Sequence, residues 1–286
     1  MCLIAFAIGL RPDLPLWLAS NRDESFDRPT EPLHRWRTDD GAEVLAGRDL
    51  RDGGTWLGLG PTGRVAWLTN VRQATPERSR RSRGELVSRW LSGRDDPTAF
   101  VQALAPEQYG GFNLVLGDLA DPGDPGDPAR ARWHWVSNRD PANPHAEQTP
   151  RRFDRALGPG LYGLSNASLN TPWPKTLQLC NALQASEGTP THAGLMGTLT
   201  DHQAAPDDAL PRTGVPLEME RALSSPFVRM PGRGYGTRST TLLRIWRHAE
   251  GHAARLDEWQ HPPGDHRPQL DPQQHRCEQI DRIRAT

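Results

Sequence analysis

Cysteine is scarce in this chain, with three in 286 residues, which excludes the disulfide framework of a small secreted scaffold. Cys2, Cys180 and Cys277 suit a reducing compartment instead, and a cytoplasmic setting is expected. Lysine is scarcer still, since Lys175 stands alone beside a large excess of arginine, a bias that suggests high-GC coding and a bacterial source. No apolar run approaches the roughly 18 residues of a membrane-spanning helix. The first residues also lack the basic and apolar regions of a signal peptide, so no integral membrane segment is expected. A net charge of −1 gives no global attraction to nucleic acid. The histidines offer no metal spacing, because His248-Ala249-Glu250-Gly251-His252 has its glutamate misplaced and a glycine where a helix would have to aim both rings. Gly58-Leu59-Gly60-Pro61-Thr62-Gly63 matches a dinucleotide fingerprint by letters only. Pro61 interrupts it and Arg64-Val65-Ala66-Trp67 continues as strand, so a hairpin turn is expected.

What is present fits a globular chain with a sizeable core: 35% hydrophobic residues, 27 glycines and 10 tryptophans. The most informative stretch comes first. Cys2 to Ile8 is apolar, Arg11-Pro12-Asp13-Leu14-Pro15 is a turn, and Leu16 to Ala19 is apolar again before Asn21-Arg22-Asp23-Glu24. If these strands pair as a hairpin, the polar run lies beside Cys2. Initiator methionine is commonly trimmed before a residue as small as cysteine. Cys2 would then carry both a thiol and an α-amine, a nucleophile with its own base. A competing reading makes Cys2 a small core residue and the polar run a solvated turn.

Along the chain, a proline-rich polar connection to about Ala42 reads as a loop. Val44 to Arg48, Thr55 to Leu59 and Val65 to Val71 read as an antiparallel meander. Gly84 to Leu91 is an amphipathic helix with Ser82 as candidate cap, and Pro97 to Leu104 a second helix begun by Asp96. Gly111 to Gly117 and Ala131 to Val136 read as paired strands around a turn at Asp121 to Pro128. Leu161 to Ser165 is a strand, Lys175 to Gln184 a helix, and Leu217 to Leu223 a further helix. Gly188 to Pro216 carries no clear signal, and Tyr235 to Trp246 with Ala254 to Trp259 form a hairpin around Ala249-Glu250-Gly251. The basic run Arg78-Ser79-Arg80-Arg81-Ser82-Arg83 is either a solvated helix start or an anion pocket. Antiparallel groups at both ends with helices between them argue α+β layers. No linker cuts the chain, so residues 1–286 are expected to form one domain.

Met1-Cys2, Asn21-Arg22-Asp23-Glu24, Gly54-Thr55-Trp56-Leu57-Gly58, Thr69-Asn70, Gly111-Phe112-Asn113-Leu114, Tyr162-Gly163-Leu164-Ser165-Asn166 and Gly236-Thr237-Arg238-Ser239-Thr240-Thr241 together resemble the NRDE family, the transport and Golgi organisation protein 2 family. That family in turn looks like a branch of the N-terminal nucleophile hydrolases. The resemblance implies a four-layer αββα sandwich and an N-terminal cysteine hydrolase or acyltransferase acting on an amide or thioester bond. It puts the nucleophile on Cys2, the carboxylate that holds the α-amine on Asp23, the oxyanion-hole amides on Asn70 and Asn166, and the arginine that orients the nucleophile on Arg238. Arg22, Glu24 and Trp56 are expected to contact the ligand. No cofactor or metal is expected. The alternative implied by the family is a non-catalytic carrier of haem or acyl lipid on the same fold, so the expected partner is a small molecule: an acyl amide, a thioester or a haem.

Overall fold

The computed structural model describes residues 2–75, 79–119, 132–248, 251–263 and 270–283. The strands are β1 (Cys2–Arg11), β2 (Leu14–Ser25), β3 (Thr30–Arg37), β4 (Glu43–Asp49), β5 (Leu57–Leu59), β6 (Arg64–Asn70), β7 (Phe112–Asp118), β8 (Trp133–Ser137), β9 (Phe153–Ala156), β10 (Gly160–Leu164), β11 (Arg229–Met230), β12 (Tyr235–His248), β13 (Gly251–Gln260) and β14 (His275–Ile283). The helices are α1 (Gly84–Ser92), α2 (Pro97–Gln102), α3 (Pro174–Ala185), α4 (Ala193–Leu199) and α5 (Leu217–Ala222). Among the described residues the strands form two antiparallel sheets. The first runs β10-β1-β2-β12-β13-β14 with β11 beside β12, and the second β3-β4-β5-β6-β7-β8-β9.

The layering follows from which face of each strand is apolar. Between the sheets, Ile4, Phe6, Leu18 and Leu243 of the first meet Leu45, Val65, Trp67 and Val115 of the second. On the far side of the second sheet, α1 and α2 set Leu86, Trp90 and Phe100 against Ala66, Leu68, Leu114 and Leu116. On the far side of the first, α3 and α4 set Leu179, Leu183, Leu195 and Leu199 against Leu3, Ala5, Trp17 and Ala19. Helices, sheet, sheet and helices make the αββα sandwich expected. Because both faces of β1 and β6 are covered, their sequences run apolar without the alternation of a half-exposed strand.

Several local readings hold. Asp96 accepts from the Ala99 N–H at 2.9 Å with Pro97 at the first helical position, so α2 starts as its sequence directs. The Gly58 to Gly63 stretch is the β5 to β6 hairpin, with Gly63 at φ +87°. Others are corrected. The segment read as a loop contains β3, whose Leu33 and Trp36 are buried while its remaining side chains, Pro32 apart, are polar. The polar segment around Cys277 is β14, an edge strand paired with β13, where solvent on one side permits charge. Ser82 does not cap α1, since Arg83 occupies the cap position with no side-chain bond. The turns expected at Asp121 to Pro128 and at Ala249-Glu250, and Arg78 of the basic run, lie outside the described residues.

Candidate active site

β1 and β2 pair so that Cys2 lies opposite Arg22, at the end of the sheet sandwich where the apolar run gives out. Side chains alternate along each strand, so Cys2 and Arg22 face the second sheet, as Ile4 and Leu18 do, while Asp23 faces the helix layer, as Trp17 and Ala19 do. A cavity of about 120 Å³ opens in front of Cys2. Its floor is Cys2 with Arg22, Asp23 and Glu24. Its far wall is Leu68 and Asn70 of β6 with Thr55 and Trp56 from the segment before β5, and Arg28, Asp49, Asp52, Ser79, Ser82 and Arg83 form the rim. The hairpin therefore brings together the thiol and the polar run.

Cys2 is 7% exposed. Burial pushes its thiol up; the nearby Asp23 adds to the rise and Arg22 opposes it. The Ser165 hydroxyl donates to the Cys2 carbonyl at 3.1 Å and ties β1 to the segment after β10. Asp23 is 1% exposed and accepts from the Thr237 hydroxyl at 2.7 Å. Burial pushes its carboxyl up, against the pull of Lys175, Thr237 and Arg72. The Arg22 guanidinium lies 4.0 Å over the Trp56 ring and 3.9 Å from the Glu24 carboxylate, so the expected ligand contacts Arg22, Glu24 and Trp56 form one stack along the cavity. Burial raises Glu24, but the chain's α-amine, the Ser25 N–H, Arg22 and Arg28 together outweigh it and leave the carboxyl below its ordinary range.

The two asparagines part ways. Asn70 ends β6 and lines the cavity. Asn166 is fully buried and absent from the cavity wall; its amide donates to the Asn70 carbonyl at 2.9 Å, and its own carbonyl accepts from the Arg72 N–H at 2.8 Å. Asn166 thus brackets Asn70 instead of reaching into the cavity.

Arg238 is also placed elsewhere. β12 pairs Thr237 with Asp23 and Ser239 with Arg22, leaving Arg238 as the extra residue of a bulge. A bulge re-aims the side chain it carries, and Arg238 donates to the carbonyls of Ser25, at 3.1 Å, and Arg28. It braces the turn after β2, and the cation opposite Cys2 is Arg22.

Sequence reasoning missed three participants. Arg28 joins the rim through Asp49 and Asp52, at 2.6 Å each. Thr237 holds Asp23. Lys175, noticed only as the single lysine, is 2% exposed behind the site. Its uniqueness was the one signal available.

Comparison with known proteins gives a lineage. The family model "Transport and Golgi organisation 2" matches residues 1–255. The chain is 34% identical over 276 residues to the Transport and Golgi organization protein 2 homolog of Bos taurus, covering 88% of this chain and 90% of that protein. It is 34% identical over 274 residues to the Homo sapiens homolog, with the same coverage. With the Drosophila melanogaster protein it shares 29% over 270 residues, 86% of this chain and 88% of that one. These animal relatives overturn the expectation of a bacterial source, because arginine bias reports the base composition of coding DNA and not lineage. Among solved structures, a Caenorhabditis elegans N-acylethanolamine-hydrolyzing acid amidase ortholog superimposes with TM-score 0.41 and 10% identity, over 64% of this chain and 79% of that one. A conjugated bile acid hydrolase from Clostridium perfringens gives TM-score 0.41 and 11% identity, over 88% and 91%. Superpositions that loose add nothing to the reading of the site. No helix among the described residues is long and apolar enough to cross a membrane.

Proposed function

This chain belongs to the Transport and Golgi organisation 2 family, and on that premise we propose that it hydrolyses or transfers an acyl group from an amide or thioester, with Cys2 as nucleophile once Met1 has been removed. The observation that supports this most directly is the cavity, which opens in front of the Cys2 thiol and is walled by Arg22, Glu24, Asn70 and Trp56. A structural cysteine packed only in apolar surroundings would have no such opening.

Burial keeps the thiol protonated, so attack requires a base. The α-amine of a mature Cys2, ordinarily near pKa 7.7–8.0, takes the thiol proton as sulfur bonds to the substrate carbonyl. Asp23 favours the resulting ammonium, and Arg22 opposite the sulfur favours thiolate character. The tetrahedral oxyanion takes a hydrogen bond from the Asn70 amide, held by Asn166 from behind. Collapse breaks the C–N or C–S bond, the ammonium hands its proton to the leaving group, and an acyl-cysteine remains. Water then attacks, its proton passing to the α-amine; the acyl C–S bond breaks, the ammonium returns that proton to the departing thiolate, and the free acid leaves.

The cavity in front of Cys2 does not fit a haem. Among the described residues lining the cavity Cys2 alone is an iron-ligating side chain, and about 120 Å³ compares with roughly 300–1,000 Å³ for sites that enclose drug-sized ligands. For this cavity the alternative is reversible capture of an acyl lipid without chemistry, and one experiment separates the two. Intact mass spectrometry of purified protein, before and after an activated acyl ester, is expected to show loss of Met1 and a single acyl adduct that vanishes in Cys2→Ala. Asn70→Ala is expected to slow adduct formation by about 10²–10³. Retained Met1, or an adduct unaffected by Cys2→Ala, would falsify the proposal.

A further inference from the structure

A buried lysine lies behind the cavity, on the face of the first sheet opposite to Cys2. α3 presses Leu179 and Leu183 onto Leu3, Trp17 and Ala19. Lys175, one turn before Leu179, shares that face and is 2% exposed. Asp23, on the same face of β2 as Trp17 and Ala19, enters this layer from the sheet side. Lys175 Nζ donates to the Leu223 carbonyl at 2.8 Å, just past α5.

The position is costly for a cation. It falls in the first turn of a helix of 12 residues, where the dipole repels positive charge, and an ammonium removed from water needs a counter-charge. The charged groups facing it come from β2, from the end of β6, from β1 and from α5. Burial pushes Lys175 down to about 8, Asp23 opposes that, Arg72 adds to it, and Cys2 and Glu220 oppose it. Arg72 and Glu220 are already paired at 2.5 Å, and Glu220 also accepts from the Thr213 N–H and hydroxyl at 2.7 and 2.6 Å. On β12, the Tyr235 hydroxyl bonds the Asp23 carbonyl at 3.0 Å, while Thr237 bonds its carboxylate.

We propose that Lys175 is a positioning residue for the acyl transfer: its ammonium, packed against the rear of β2, keeps Asp23 ionised so that the carboxylate can hold the α-ammonium of Cys2. This rests on the reading of Cys2 given above. Without the charge at position 175, Asp23 holds its proton to higher pH, and a cation that favours the thiolate is lost. The acid limb of acylation, which requires Asp23 ionised to hold the α-ammonium, therefore moves to higher pH.

The test makes Lys175→Met and Asp23→Asn singly and together, and reads urea unfolding beside the pH profile of Cys2 acylation by p-nitrophenyl acetate. In Lys175→Met the acid limb is expected to move up by about one pH unit, so that labelling at a fixed pH on that limb falls roughly tenfold. The stability losses are expected not to add, because Asp23→Asn removes the anion that Lys175→Met leaves uncompensated. An unmoved limb, or losses that simply add, overturns the proposal. Should Lys175→Met alone fail to fold, a folded double variant supports the charge pair, and an unfolded one overturns it. If Cys2→Ala labels as fast as wild type, the nucleophile is wrong, and the stability comparison still judges the pair.

Discussion

His261 shows how one side chain anchors the polar run without touching the cavity. Its ring is 9% exposed and stands edge-on to Phe227 at 4.8 Å. The Thr240 hydroxyl donates to Asn21 Oδ1 at 2.6 Å, so the contact of 2.8 Å between Thr240 and His261 Nε2 requires that nitrogen to carry the hydrogen. Asn21 in turn donates to the carbonyls of Leu199 and Pro226, at 2.8 and 3.0 Å. The first residue of Asn21-Arg22-Asp23-Glu24 is therefore a structural tie, and the roles proposed above belong to the three that follow. Burial pushes His261 down to about 4 from 6.5. The unfolded chain takes up this proton near 6.5 and the folded chain only near 4, so folding loses stability as pH falls through that window. The loss is on the order of 3 kcal/mol by linkage. His261→Gln keeps a donor and cannot titrate. Its urea midpoint is expected to fall less than that of wild type between pH 6.5 and 4; equal falls would show that His261 is not the group responsible.

At the scale of elements, the approach of β4 to the segment before β5 fixes the Arg22 stack. A Cβ on Gly47 would lie 2.4 Å from the Trp56 ring, the same ring that carries the Arg22 guanidinium. Gly47→Ala is expected to displace Trp56 at a cost of about 1–3 kcal/mol, lowering the melting temperature and slowing Cys2 acylation together. Acylation at the wild-type rate would remove Trp56 from the site. The same scale explains what the sequence could and could not tell. β1, β2 and β6 are legible because burial on both faces leaves long apolar runs, and the Cys2 to Arg22 pairing follows from the turn between them. β3 and β14 are not, because edge strands carry charges such as Arg35 and Glu278, which pair at 3.4 Å. The bulge that turns Arg238 away is a backbone event with no residue signature. Nor does any local pattern announce that Lys175, on a helix far along the chain, packs behind Asp23.

For the whole molecule, the sandwich places its densest aromatic packing away from the chemistry. Phe6 meets Trp67 edge-on at 4.8 Å and stacks on Tyr162 at 5.2 Å, and Trp67 lies 5.9 Å from Trp133. The ring of Trp67 is fully buried, and its strand ends at Asn70 in the cavity wall. Removing it leaves a void that close-packed neighbours fill only in part, so Trp67→Ala is expected to cost about 3–5 kcal/mol. Scaffold and site make different demands, however. The thiol's proton is governed by its burial and then by the charges around Cys2, and none of those charged groups contacts Trp67 through a polar bond. The urea midpoint of Trp67→Ala should therefore drop while the pH profile of Cys2 acylation, taken well below unfolding, keeps its wild-type midpoint. A profile displaced as far as that of Lys175→Met would mean that loosening the inter-sheet core itself moves β2, and that Asp23 is positioned by packing and not by its charged neighbours.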